Sequence, residues 1–238
     1  VQWQHPELDC QVSPWSVTVW SWLRDCSVRD PSGNVGFVST PRPLWDQRYA
    51  EEGFAYGTEP NDFLREHAGL LTGPVLSLAE GQGRNAVFLA GLGLPVVGVD
   101  SSSVGLLKAQ ELARSKGVQI ETVVADLATF DPGVERYGSV IAIFAHLPGD
   151  LQRQVNQRVW QSLRAGGVFL LEAYTPGQVL RNTGGPRDPN VCVTLPALQS
   201  DFAEGEHLVA RECVRPVVEG RFHTGLAEVV QFIARKRG

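Results

Sequence analysis

The sequence contains no methionine, few cysteines and no surplus of positive charge, and each shortage narrows what the chain can do. Methionine is missing even from position 1, which points to a processed start and says nothing about chemistry. Four cysteines, Cys10, Cys26, Cys192 and Cys213, form no C-x-x-C pair and have no nearby histidine at ligand spacing. They read as free thiols in a reducing compartment, so no metal is expected and the cytoplasm is the expected location. A formal net charge of −5 argues against a nucleic-acid partner, because a phosphate-binding surface carries an excess of Lys and Arg. No apolar run approaches the roughly 18 residues of a membrane span, so no membrane partner is expected. What is left is a chain of 238 residues, 43% hydrophobic, long enough to bury a core. Its oligomeric state stays open.

Residues 1–43 stand apart. They hold four of the six tryptophans (Trp3, Trp15, Trp20 and Trp22) with several Pro and Gly and no clean period. "SPWSVTVWSWL" resembles a signal-peptide core but has neither a basic segment before it nor a small-residue cleavage site after it. This stretch is read as an N-terminal extension, and residues 44–238 as the domain that carries the chemistry. "LWDQRYAEE" and "NDFLREHAGLL" space their apolar residues as short amphipathic helices, the second capped by Asn61 or Asp62. Strand-like runs follow at 74–79, 95–99, 119–124, 138–144 and 167–174, with helical segments at 84–92, 102–116 and 149–164 between them. That alternation predicts an α/β doubly wound, Rossmann-like parallel sheet with helices on both faces. "HLVARECVRPVVEG" and "FHTGLAEVVQFIARK" are joined by too few residues for a parallel crossover, so they predict an antiparallel hairpin.

The chemistry begins at "VLSLAEGQGRNAVFLA", where Gly81, Gly83 and Ala86 have the spacing G-x-G-x-x-A between a strand and a helix. Glycines there let the backbone turn tightly and approach a ligand at the carboxyl edge of the sheet. Asp100 ends the second strand of that sheet, where a carboxylate accepts from ribose hydroxyls. A nicotinamide dinucleotide and S-adenosylmethionine both carry such a ribose, so neither feature separates them. Three others do. Asp126, after the third strand, can accept from an adenine amine. Glu80 sits inside the glycine loop, where a carboxylate repels pyrophosphate and attracts an ammonium. The antiparallel hairpin closes the sheet after five parallel strands, where a six-stranded nicotinamide-binding sheet needs a further βαβ unit. S-adenosylmethionine is therefore the expected cofactor. A nicotinamide-dependent oxidoreductase is the rival enzyme, and a non-catalytic cofactor-binding sensor or partner subunit the rival from another class.

From about Leu44 to the C-terminus the sequence resembles the class I S-adenosylmethionine-dependent methyltransferases, and within them the tellurite-resistance and thiol-methyltransferase type. The resemblance rests on "WDQRYAEEGFAYGTEPNDFL", "LAEGQGRNAVFLA", "VVGVDSSSVGLLKA", "ADLATF", "IFAHLP", "GGVFLLEAYTP" and "EGRFHTGLAEVVQ", in that order. It implies a seven-stranded sheet with the last strand antiparallel, and transfer of a methyl group to a small-molecule acceptor. One position departs from the pattern. The strand-end acid usual in the family falls on Ser77, so Glu80 takes the cofactor ammonium, helped by the Ala79 carbonyl, or else caps the next helix.

The remaining cofactor contacts are expected from Asn85 in the glycine loop, Ser101 beside Asp100, the Leu127 amide against the adenine, and Phe144. Trp45, Arg48 and Tyr56 precede the sheet in a segment that, by resemblance, folds over the cofactor. Core packing is the plainer alternative for Trp45. His146 ends the fourth strand beside the place expected for the methyl group and is the first candidate to orient or deprotonate the acceptor. Tyr174 and Glu172 end the fifth strand, and His223 and Arg221 come from the terminal hairpin, where Arg221 is expected to hold an anion. "RNTGGPRDPNVCVTL" predicts a long lid or binding loop. The acceptor expected by resemblance is a tellurite- or selenite-type oxyanion or a small thiol.

Overall fold

The computed structural model describes residues 27–29, 35–37, 42–181 and 183–238. Cys10, Cys26 and the four early tryptophans lie outside the described residues. The chain divides into two units, Val1–Thr40 and Pro41–Gly238. In the first, β1 (Ser27–Arg29) pairs antiparallel with β2 (Val35–Phe37).

The second unit opens with two short helices, α1 (Arg42–Ala50) and α2 (Asp62–His67). Asn61 caps α2 by accepting from the Leu64 amide, which satisfies one of the donors left free at a helix start. The alternation then runs β3 (Val75–Leu78), α3 (Arg84–Gly91), β4 (Val96–Asp100), α4 (Ser103–Ser115), β5 (Glu121–Val124), β6 (Tyr137–Ile143), α5 (Gly149–Ser162) and β7 (Leu163–Tyr174). The chain ends with α6 (Leu195–Asp201) and a long hairpin, β8 (Glu206–Glu219) and β9 (His223–Arg235).

The seven strands lie in the order β5-β4-β3-β6-β7-β9-β8. β3 to β7 are parallel, and β9 runs antiparallel to both β7 and β8. The seven-stranded sheet with an antiparallel last strand is the architecture expected. The hairpin is antiparallel because residues 220–222 are too short to carry the chain back across the sheet.

The central strands read as continuous apolar runs because both faces are covered. Leu76, Val140, Phe169 and Leu171 join Val155, Val159 and Phe202 on one face. Val75, Ile141, Leu170 and Ile233 join Phe63, Leu64 and Leu89 on the other. The strand order reverses at β3, flanked by β4 and β6, which puts the crevice of the switch point beyond the carboxyl ends of these three strands. At the far end of the hairpin, Gly220 lies against the Ala55–Gly57 backbone. A Cβ on Gly220 would meet the Ala55 carbonyl at 2.4 Å, and Arg221 donates its amide to that same carbonyl at 3.0 Å. Among the described residues no helix is long and apolar enough to cross a membrane, and no group of acids, His and Cys could hold a metal ion.

Candidate active site

A cavity of about 1000 Å³ opens at the switch point. Two residues leave their strands with left-handed backbones, Ala79 after β3 at φ 50° and Phe144 after β6 at φ 53°, and both line it. Such a conformation costs a side-chain-bearing residue about 1–2 kcal/mol, and it bends the chain so that backbone faces the cavity. The Phe144 turn is held by its amide donating to the Glu172 carbonyl at 2.7 Å, and the loop after Ala79 by the Glu80 amide donating to the Val99 carbonyl at 3.1 Å.

The glycine loop is built around two carboxylates. Asp100 accepts from the Gly81 amide and from the Ser102 amide, both at 2.8 Å, and burial holds its carboxyl above the ordinary range. Each oxygen keeps a second lone pair for a ligand hydroxyl. Glu80 is buried, accepts from Ala86 N–H at 3.0 Å in the first turn of α3, and is bonded to the Ser77 hydroxyl. Burial raises its pKa to about 7, against which Ser77 and the Ala86 amide work. The structure thus gives the Glu80 carboxylate the helix-capping contacts.

The two motif glycines form no part of the cavity wall. Gly81 passes under the Tyr49 hydroxyl, and Gly83, at φ 94°, lets α3 approach α4: a Cβ there would meet the Ala109 Cα at 2.6 Å. Their role is close backbone packing, which shapes the loop from behind.

The cofactor candidates Trp45, Tyr56, Glu80, Asn85 and Asp100 line the cavity, and so do Ser101, Asp126, Leu127 and Phe144. Asp126 accepts from the Ala128 amide at 2.9 Å, which fixes the turn after β5. Asn85 accepts from the Asn61 amide at 3.0 Å. Trp45 stacks on Tyr49 with centroids 5.7 Å apart, and Arg48 donates to the Tyr56 hydroxyl at 2.8 Å. Packing and a place on the wall therefore coexist for Trp45.

Of the acceptor candidates, His146 and His223 line the cavity. The His146 Nδ1 lies 3.2 Å from the Val191 carbonyl, which can only accept, so the proton sits on Nδ1 and Nε2 keeps its lone pair. Burial, with His223 nearby, lowers the His146 pKa to about 4. His223 packs against Tyr56 at 4.5 Å and Phe144 at 4.8 Å between centroids, and Tyr174 stacks on His146 at 5.4 Å.

Three expectations are corrected. Tyr174 is fully buried behind the wall, packed against both histidines. Glu172, two residues earlier on the same face of β7, is also fully buried; it accepts from Asn61 at 2.8 Å, Gln231 and Arg215, an internal network rather than a ligand edge. Arg221 is exposed at the hairpin turn, 2.9 Å from Glu51 on the surface, because the turn directs the next two residues, Phe222 and His223, inward in its place.

Several wall residues were not anticipated: Tyr49 behind the loop, Gln82, Arg84, Phe222, and from the long loop Arg181 and Arg187. Gln82 accepts from the Ala55 amide at 2.6 Å and so ties the segment after α1 to the glycine loop. Arg84 was adjacent to the motif, but only the fold reveals its partner, Glu219 at 2.7 Å, 135 residues away.

Buried polar atoms without a partner cluster here. Among the described residues there are six: Arg84 Nη1, His146 Nε2, Tyr174 Oη, Arg181 Nε, His223 Nδ1 and Gln152 Oε1. Four belong to wall residues and Tyr174 packs against two of those, leaving Gln152 alone elsewhere. An unpaired buried polar atom costs about 1–3 kcal/mol, so their concentration at one cavity marks a surface shaped for a polar ligand.

Residues 75–167 match the family model described as a methyltransferase domain. No curated protein matches the sequence. Solved structures do share the fold. One comes from work on conversion of a disulfide bond into a thioacetal group during echinomycin biosynthesis: it is 21% identical with a TM-score of 0.68, over 83% of this chain and 92% of that one. TehB from Haemophilus influenzae is 18% identical with a TM-score of 0.60, over 83% and 68%. Magnesium protoporphyrin IX methyltransferase from Synechocystis PCC 6803, with bound SAH, is 18% identical with a TM-score of 0.55, over 82% and 83%.

Proposed function

We propose that this chain, which carries a methyltransferase domain over residues 75–167, is an S-adenosylmethionine-dependent methyltransferase acting on a small polar or soft nucleophile, a tellurite- or selenite-type oxyanion or a small thiol. The observation that carries this reading is the group of unpartnered buried polar atoms at the cavity, which asks for a polar acceptor and not a large apolar one. The wall carries charges of both signs, among them Arg48 of α1 and Arg84 of α3. Asp100 ends β4 and Asp126 follows β5, while Arg181 and Arg187 come from the loop after β7.

In this reading Asp100 holds the ribose diol, Asp126 and the Leu127 amide the adenine, and the Ala79 carbonyl the ammonium. Trp45 and Tyr56 close over the cofactor. The cofactor supplies an already activated methyl group, so the chain's task is to align the acceptor and keep water out. Phe144, His146 and His223 frame the acceptor, with Tyr174 supporting His146 from behind. The sulfur chemistry named for the echinomycin structure supports a thiol acceptor.

Titration calorimetry with S-adenosylmethionine should give saturable binding. Purified protein with labelled methyl donor should then release S-adenosylhomocysteine with a thiol or chalcogen oxyanion, the product being identified by headspace mass spectrometry. Binding without turnover on any acceptor would point to a sensor, and absence of binding would remove the reading altogether.

A further inference from the structure

We propose that Glu219 is a positioning residue that holds His223 as the base for a protic acceptor, which narrows the acceptor class to small thiols; this rests on the methyltransferase reading above. Glu219 is the last residue of β8 and is buried at 5% exposure. One of its carboxylate oxygens accepts from Asn61 at 2.8 Å and lies 3.5 Å from Arg215. The other accepts from Arg84 at 2.7 Å and faces His223 Nδ1 at 3.6 Å. That distance is longer than a hydrogen bond and leaves Nδ1 without a partner, but the carboxylate charge favours the imidazole proton on Nδ1, so that Nε2, on the other side of the ring, keeps its lone pair.

The surroundings keep that lone pair available. Burial above all, and with it Arg84 from α3 and Arg48 from α1, opposes a second proton on His223. Tyr56 and Tyr174 face the ring, as does the neutral His146. Glu219 works the other way. It stays ionised, its pKa held at about 2 despite burial by the His223 and Arg84 contacts. A neutral imidazole oriented by a buried carboxylate has no task toward an acceptor that is already an anion. It has one toward a thiol, whose thiolate is the nucleophile.

The step balances. The S–H proton passes to His223 Nε2, the sulfur forms a bond to the methyl carbon as the sulfonium–methyl bond breaks, and the proton then leaves to solvent.

The test compares two thiols in the unaltered chain and in Glu219→Gln. One is 2-mercaptoethanol, an alkyl thiol mostly protonated at pH 7.5. The other is 2-nitro-5-thiobenzoate, already a thiolate there. Glu219→Gln should cut turnover of the alkyl thiol by about 10²-fold, within the usual range for general-base catalysis, and of the thiolate by less than about threefold. The acid limb of the alkyl-thiol pH profile should move with it. In the cofactor-free protein, ¹⁵N resonances should report the Nδ1–H tautomer of His223, with mixed tautomers in Glu219→Gln. Equal losses for both thiols, or an Nε2–H tautomer in the unaltered chain, overturn the proposal. So does a chain that binds cofactor and methylates tellurite but neither thiol, an outcome that leaves the methyltransferase reading standing. Failure to bind cofactor brings down both.

Discussion

At single residues, the two carboxylates of the glycine loop divide the work. Asp100 braces two backbone amides and keeps free lone pairs toward the cavity. Asp100→Ala should therefore weaken S-adenosylmethionine binding by about tenfold or more, since hydrogen bonds to a charged group contribute about 1.5–3 kcal/mol each. It should also lower the midpoint of thermal unfolding, because Gly81 and Ser102 lose their partner. Unchanged affinity by calorimetry would take Asp100 out of the site. Glu80 makes a different forecast. Unfolded, it ionises near 4.5, and folded near 7, so the native state binds more protons between these values. Stability is therefore lost as pH rises from 4.5 through 7 and is not regained above. Glu80→Gln keeps an acceptor for Ala86 and gives Ser77 a donor without the titration. Against the parent, its stability from urea denaturation should be about equal at pH 5 and about 1–3 kcal/mol higher at pH 8. A difference that does not change with pH would sink this account.

At the level of elements, what could be read in advance depended on distance along the chain. Strand and helix positions came within one or two residues for most of 74–174 because period and burial are local signals; β7 begins earlier than expected, at Leu163, since "RAGG" carries no strand pattern. Glu80 was undecidable from sequence because capping and ligand binding ask for the same acid at the same place. Arg221 and Glu172 were misjudged for a related reason: position near the ligand edge does not tell which way a side chain points. Gly83 shows how a motif residue can act through packing. Gly83→Ala places a Cβ against Ala109 in a left-handed backbone, so it should cost about 2–4 kcal/mol from overpacking and strain combined. Guanidinium denaturation measures this directly, and a loss below 1 kcal/mol would mean that α3 and α4 can separate without penalty.

Across the whole molecule, one buried network joins parts that the sequence keeps far apart. Glu172 of β7, Arg215 and Glu219 of β8, Asn61 before α2 and Arg84 of α3 share hydrogen bonds. Arg215→Met would strand the fully buried Glu172 charge, and should cost about 3–5 kcal/mol, as breaking a buried pair does. Adding Glu172→Gln should return a good part of that loss in urea denaturation; a double variant no better than the single would show that shape, and not charge, is at stake. The terminal hairpin has a further consequence, in the order of synthesis. Its tip supplies Phe222 and His223 to the wall and lies against Ala55–Gly57. On a ribosome β3 to β6, with Asp100 and Asp126, emerge long before that tip. The strands that carry Asp100 and Asp126 can begin to pair early, but the side of the cavity formed by Phe222 and His223 waits for residues 206–235 to be made and to insert β9 between β7 and β8. Until then the cavity lacks the part of its wall that Phe222 and His223 supply, however far the rest has folded.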